Sequence, residues 1–349
     1  MAEQSLYHTF HRYRTLQTHR VSALPIVILM PHSACNCQCV MCDIWKGNRN
    51  LKQLTEADIE NLLGALRNFG TQQILMSGGE ALLHPNFFRL CEILKKQAIR
   101  ITVLSTGLTL ERNAEKLLQY TDELIISLDG DEELHNRIRN IPGAFQKTRQ
   151  GVQLLKTLDP GYRITARTVI HKLNYRQWPA IIEAALEMGL DQISFLPADT
   201  SSHAFNRAIL WEKERQEEIL PTETELDSMQ SILDGILVNY QPLFAGGFIA
   251  EPALKLQKII DHYHAVYGHN AYPYKKCNAP WVSAVIEADG TVRPCFFHEA
   301  MGNIKEHPLD AIINSKESIR FRKELDVQQN PTCQQCVCYL NLPPRSAIN

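Results

Sequence analysis

The amino-acid sequence predicts an α/β fold: a partial, TIM-like (β/α)6 barrel followed by a small cysteine-rich C-terminal module. Three observations predict it. Short β-branched or apolar runs alternate with longer amphipathic runs between about residues 25 and 196. The residues with evident chemistry follow the ends of those short runs. Nine of the ten cysteines fall into two groups, at 35–42 and at 277–338.

The predicted strands are Ile26–Met30, Gln73–Met76, Ile101–Leu104, Leu124–Leu128, Ile164–Ile170 and Gln192–Leu196. The stretches between them carry apolar residues three and four apart, the helical spacing. Thr55 followed by Asp58 is close to a capping box and starts a helix to Leu66. A helix over Ala180–Met188 ends at Gly189, a natural C-cap. Strand–helix units in succession give a parallel sheet with right-handed crossovers, and such sheets gather their chemistry at the C-terminal strand ends. Residues 201–275 read as a helical bridging region, with a charged stretch over Trp211–Leu220 and helices over Glu225–Leu237 and Ala253–Tyr267. Val282–Ile286 and Thr291–Arg293 flank Asp289-Gly290, a hairpin signal. A short helix from about Pro308 follows. The expected divisions are an extension at 1–24, the barrel core at 25–200, the bridge at 201–275, the cysteine-rich module at 276–340 and a tail at 341–349.

The chain has 349 residues, 44% hydrophobic and 21% charged, with 36 basic against 38 acidic residues and a net charge of −2. That composition is globular. It gives no support to a general nucleic-acid surface. No signal peptide or membrane-spanning run is evident, so the expectation is a cytoplasmic protein. Clustered cysteines in a reducing compartment are more often metal ligands or redox groups than disulfides.

Cys35, Cys39 and Cys42 form a C-x3-C-x2-C pattern on one loop. Three thiolates hold three corners of a cubane iron–sulfur cluster and leave the fourth iron open to a reactant. A zinc knuckle or redox dithiol is the alternative, although no fourth ligand stands at knuckle spacing. Cys37 lies inside the loop and is able to replace one ligand. Ser77-Gly78-Gly79-Glu80 ends the second predicted strand; its glycines admit a ligand to the backbone and Glu80 offers an acceptor for an ammonium.

The cysteine spacing, with Gly78-Gly79-Glu80 about 35 residues beyond it, resembles the radical S-adenosylmethionine (SAM) superfamily over about 170 residues. The resemblance implies a [4Fe-4S] cluster on Cys35, Cys39 and Cys42, with Cys37 a bystander, and SAM chelated to the open iron. One electron cleaves SAM to methionine and a 5′-deoxyadenosyl radical, which takes a hydrogen atom from the substrate. It further implies that Gly78, Gly79 and Glu80 contact the SAM amino group. Ser105, Ser127 and Asp129, at the ends of the third and fourth strands, resemble ribose and methionine contacts. Arg167, or else Arg139, is the guanidinium expected for the SAM carboxylate. His84 is expected to be structural, and Cys91 to be core.

Cys277, followed after twelve residues by Gly290 and four later by Cys295, resembles the opening of the SPASM/twitch extension. With Cys333 and Cys336 it implies one auxiliary [4Fe-4S] cluster; Cys338 is spare. Four cysteines in two pairs equally suit structural zinc. His298 and Glu299 are candidate proton carriers, more readily read as surface residues.

The expected function is hydrogen abstraction from a small polar metabolite such as a sugar, cyclitol or nucleoside, leading to dehydrogenation, epimerisation or decarboxylation. The short stretch ahead of the first strand favours that over the alternative, modification of a ribosomally made peptide. A zinc-binding scaffold is the reading from another class. A flavodoxin- or ferredoxin-type electron donor is the expected partner.

Overall fold

The six predicted strands form, in order, as β1 (Ile26–Leu29), β2 (Gln73–Met76), β3 (Arg100–Ser105), β4 (Glu123–Ser127), β5 (Arg163–Ile170) and β6 (Gln192–Pro197). This is a computed structural model, and it describes residues 5–207 and 209–348. Each of the six strands pairs in parallel with the next. Helix α1 (Leu6–Thr18) precedes the sheet, and the crossovers carry α2 (Glu56–Asn68), α3 (Phe87–Lys95), α4 (Leu110–Tyr120), α5 (Glu132–Arg139), α6 (Ala144–Leu158) and α7 (Trp178–Glu187). The capping box at α2 closes in both directions between Thr55 and Asp58. Helix α7 runs out at Met188, and Gly189 follows it in the left-handed region.

The two faces of the sheet differ, and that difference makes the site. Ile74, Met76, Ile101, Val103, Leu124, Ile126, Ile164 and Ile193 are fully buried in the main hydrophobic core. The opposite face carries polar residues. Near the N-terminal strand ends, Gln73 donates to Thr102 at 2.9 Å, Glu123 bridges Arg100 and Arg163 at 3.0 Å each, and Arg163 reaches Gln192 at 2.9 Å. A parallel sheet covered on both faces would be apolar throughout. This one has a polar, concave face. Higher on it, Ser127, Arg167 and Ser194 share one register row across β4, β5 and β6.

Beyond β6 a strap over 198–207 and 209–212 leads to α8 (Lys213–Glu217), α9 (Glu223–Asn239), α10 (Gln241–Ala245) and α11 (Ala253–Val266). Leu226, Met229 and Leu233 of α9, with Leu256, Ile259 and Ile260 of α11, complete the core. The free edge of β6 is covered where Ile193 and Ile249 bridge, which removes an unpaired ladder from solvent.

The hairpin forms as β7 (Ser283–Ile286) and β8 (Thr291–Arg293), preceded by α12 (Ala279–Val282) and followed by β9 (Gly302–Asn303). It is not set apart from the barrel. β7 pairs in parallel with β1, giving one nine-stranded sheet in the order β6-β5-β4-β3-β2-β1-β7-β8-β9. The short β1 would otherwise leave an open edge. Helices α13 (Leu309–Ile313), α14 (Lys316–Glu324) and α15 (Pro331–Gln335) follow. The buried Arg12 of α1 donates to the Ser346 carbonyl at 2.6 Å and to Gln72 at 2.8 Å, tying both ends of the chain to the sheet. Among the described residues no helix is long and apolar enough to cross a membrane.

Candidate functional site

The first cysteine group lies on the loop between β1 and α2, and backbone contacts hold that loop on several sides. Glu80 N–H donates to the Ala34 carbonyl at 2.7 Å, and Gly79 N–H reaches the His32 carbonyl at 3.5 Å. From the other side, the N–H groups of Gln38 and Val40 donate to the carbonyls of Arg139 and Ile138, at 3.1 and 3.0 Å. Those are carbonyls of the last turn of α5, which have no partner within the helix. Asn48 exchanges two hydrogen bonds with the Cys35 backbone, at 2.9 and 2.8 Å. Thr106 donates to Asn36 at 3.0 Å.

The thiols are dressed for thiolate chemistry. Arg139 donates to Cys39 Sγ at 3.4 Å and Ile44 N–H to Cys42 Sγ at 3.5 Å. The neighbouring Cys37 thiol pulls Cys39 below its ordinary value, against burial, and Arg139 adds to the pull. Burial pushes Cys35 and Cys42 each up to about 12. A metal that binds there displaces their protons. Cys37 is fully buried and serves Cys39 as a neighbour. Three thiols on one braced loop, with N–H groups aimed at two of them, fit a cluster that keeps one corner open. Among the described residues no three His, Cys, Asp or Glu side chains converge on the spacing of a single metal ion.

Gly78 and Gly79 answer a packing demand as well as a binding one. Gly78 has φ +115°, and a Cβ there would stand 2.8 Å from the His32 carbonyl oxygen. A Cβ at Gly79 would stand 2.1 Å from the Ala34 carbonyl oxygen. The two glycines thus let the end of β2 lie directly against the cysteine loop, and both line the adjoining cavity. Glu80 turns inward and is fully buried. It accepts from Thr106 N–H at 2.6 Å, Ser105 Oγ at 3.1 and 3.2 Å, and Leu82 N–H at 3.2 Å. Burial raises its pKa, and these donors oppose the rise. Ser105 therefore braces Glu80.

Asp129 and Arg139 are both buried and pair with each other. Burial raises Asp129, opposed by the guanidinium. His135 accepts from the Asp129 N–H at 3.2 Å. With its other donor on Cys39, Arg139 joins β4 to the cysteine loop. Ser127 and Arg167 lie half-buried on the concave face, and Arg167 reaches Ser194 Oγ at 3.5 Å. Of the two arginines considered for a carboxylate, Arg167 is the one not committed to a buried ion pair. His84 is structural, its Nε2 2.8 Å from the Leu54 carbonyl and its Nδ1 accepting from Asn86 N–H at 3.0 Å. Cys91 is fully buried in α3.

The second cysteine group draws together three segments. Cys277 precedes α12, Cys295 follows β8, Cys333 lies in α15, and Cys336 caps it. Cys277 and Cys295 lie near enough to raise the thiols of Cys333 and Cys336, adding to the larger effect of burial. Burial pushes Cys295 up to about 11 and Cys333 up to about 12. Cys338 is exposed. His298, expected on the surface, is buried instead, with Nε2 3.3 Å from Cys333 Sγ.

A cavity of about 680 Å³ lies between residues flanking the first cysteine loop and the segment that follows Cys295. Gly78, Gly79 and Ser33 line it at one end, and Phe296, Phe297 and His298 at the other. The strap supplies Phe205 and Arg207. No spacing or motif in the sequence marks this wall. Arg207 is buried against Asp199 at 2.5 Å and stacks 4.0 Å over Trp211, whose indole donates to Asp43 beside Cys42 at 2.8 Å. The one signal was a tryptophan inside a charged stretch.

Comparisons with known proteins agree with this geometry. The family model of the radical SAM superfamily matches residues 29–185, and that of the SPASM iron–sulfur cluster-binding domain matches 277–337. Fe-coproporphyrin III synthase of Methanosarcina barkeri is 23% identical over 337 residues, covering 89% of this chain and 80% of its own. PqqA peptide cyclase of Bradyrhizobium diazoefficiens is 23% identical over 329 residues, covering 90% and 79%. SuiB of Streptococcus suis shares the fold: solved with S-adenosylmethionine it has a TM-score of 0.66 at 14% identity, covering 94% of this chain and 75% of its own. Solved with its precursor peptide SuiA, it has a TM-score of 0.65 at 14% identity, covering 96% and 77%. The chain belongs to the radical SAM superfamily: it is an enzyme that uses SAM and a [4Fe-4S] cluster, and it ends in a SPASM domain that binds auxiliary iron–sulfur.

Proposed function

We propose that this enzyme abstracts a hydrogen atom from a ribosomally synthesised peptide and so crosslinks or epimerises it. The observation that carries the reading is the cavity between the two cysteine sites, open to solvent and walled by the strap and the C-terminal hairpin. A peptide segment entering there has one wall of phenylalanines, Phe205, Phe296 and Phe297, to receive an apolar side chain. Relatives named for peptide chemistry, the PqqA peptide cyclase and SuiB with SuiA, support the same choice. The small polar metabolite expected earlier rested on the few residues ahead of β1, which say nothing of substrate.

The cluster and SAM, when bound, supply the 5′-deoxyadenosyl radical. The chain's own residues hold the reactants. In this reading Cys35, Cys39 and Cys42 are the ligands of the first cluster, and Cys277, Cys295, Cys333 and Cys336 those of the second. The Gly78-Gly79 backbone receives the SAM amino end, Ser127 faces the ribose and Arg167 the carboxylate. Glu80, Ser105, Asp129 and Arg139 keep the strand ends and cysteine loop in register. A flavodoxin- or ferredoxin-type protein delivers the electron in the cytoplasm.

A second reading has an observation of its own: one relative is named as an AdoMet-dependent heme synthase, and the cavity pairs aromatic side chains with Lys52 and Arg293, suited to a flat ring bearing carboxylates. One experiment separates the two. Reconstituted enzyme, SAM and dithionite are incubated with short peptides encoded beside the gene, and separately with Fe-coproporphyrin. The peptide reading expects a changed peptide mass, or epimerised residues on chiral amino-acid analysis, together with 5′-deoxyadenosine. Loss of carbon dioxide from the porphyrin, with the peptides unchanged, would reverse the choice.

A further inference from the structure

Two nitrogen-bearing side chains approach the C-terminal thiols from different segments. His298 stands three residues after Cys295, with Nε2 3.3 Å from Cys333 Sγ. Its ring meets Phe321 edge-on, with centroids 5.0 Å apart, and Arg293 donates to its carbonyl at 3.1 Å, so it is held in place. The same residue lines the cavity. Lys275 arrives from the other side. It is buried, and its ammonium donates to the Gln334 carbonyl, which lies inside the Cys333–Cys336 loop. Cys336, Cys333 and Cys277 lie near enough to act on it.

An N–H···S hydrogen bond and a buried positive charge act in the same direction on a thiolate-held cluster. Both interactions strengthen as the cluster gains negative charge, so both favour its reduced form. We infer that Lys275 and His298 are positioning residues that raise the electron affinity of the C-terminal cluster, and that His298 links that cluster to the cavity wall. This rests on the reading of Cys277, Cys295, Cys333 and Cys336 as its ligands, and not on which substrate the cavity takes.

The test isolates the second cluster in the C35A/C39A/C42A chain. After anaerobic reconstitution, its midpoint potential is read by redox titration followed by electron paramagnetic resonance, alongside iron content. In that background Lys275→Met and His298→Phe should each shift the midpoint to lower potential at unchanged iron. Lys275→Arg and His298→Gln, which keep the charge and the donor, should stay nearer the parent. The two arms are independent, so a variant that does not fold leaves the other to decide. Unchanged potentials in Lys275→Met and His298→Phe at full iron would overturn the inference. Iron lost from His298→Phe alone would make His298 a ligand and overturn it too. A parent background that takes up no iron would remove both the inference and the ligand reading beneath it.

Discussion

Gly79 shows how one residue serves two ends. Its missing side chain leaves room for Ala34, and the atoms that a methyl would strike, the Ala34 and Ser33 carbonyls, are backbone. Neither can rotate away as a side chain would. Gly79→Ala must therefore push the cysteine loop off the end of β2, at a cost of about 1–3 kcal/mol, the range for overpacking a filled site. The expected outcome is a lower urea midpoint and loss of the N-terminal cluster's iron, with the C-terminal iron retained. Iron analysis of the reconstituted variant checks it; full iron would mean that the loop tolerates the methyl. Arg139 was, after Arg167, the second candidate from the sequence for the SAM carboxylate. In the fold it pairs with Asp129 in the turn ahead of its own helix and donates to Cys39, a residue far from it in sequence.

At the scale of elements, the barrel strands were legible because each is short, β-branched and followed by a turn. β2 matches its predicted bounds, and the others differ by one residue at one or both ends. Such margins are ordinary where the terminal residues lack ladder partners. The cysteine motifs were legible because ligand spacing is local. What the sequence did not disclose is long-range. Nothing in Ser283–Ile286 says that it pairs with β1 rather than with its own hairpin alone. The strap wall, built by Asp199, Arg207 and Trp211, has no periodic signature at all. α1 was read only as an extension, since its apolar residues follow no buried stripe: Leu6, Tyr7, Phe10 and Tyr13 are exposed. The pairing of β7 carries a prediction. Its amides, tied into the central sheet, should exchange with deuterium as slowly as those of β1. Hydrogen exchange read by mass spectrometry tests this, and rapid exchange in β7 beside a protected β1 would show a detachable module.

For the whole molecule, buried ionisable groups set the response to acid. His262 is buried in α11 with Nδ1 unpartnered, and burial, then Lys275, pushes its pKa down to about 3. The folded chain therefore keeps this histidine neutral while the unfolded chain protonates it below about 6.5. Its contribution to stability is complete above about pH 6.5 and is lost as pH falls toward about 3, by up to about 1.4 kcal/mol per pH unit. Buried Glu80, Asp129 and Glu251 have raised values and act in the opposite sense. They are common to parent and variant, so a comparison isolates the histidine. His262→Gln should lose less stability between pH 7 and pH 5 than the parent in urea titrations. Equal losses would mean that His262 is solvated in the folded chain.

The central claim is that the loop carrying Cys35, Cys39 and Cys42 holds the cluster that cleaves SAM, while a second set of cysteines holds separate iron. Its most direct measurement is anaerobic reconstitution of the parent and the C35A/C39A/C42A chain, with iron and sulfide counted and 5′-deoxyadenosine assayed after dithionite and SAM are added. About eight irons and 5′-deoxyadenosine are expected from the parent, and about four irons and no 5′-deoxyadenosine from the triple variant. 5′-Deoxyadenosine formed by the triple variant, or iron unchanged by the three substitutions, would contradict the claim.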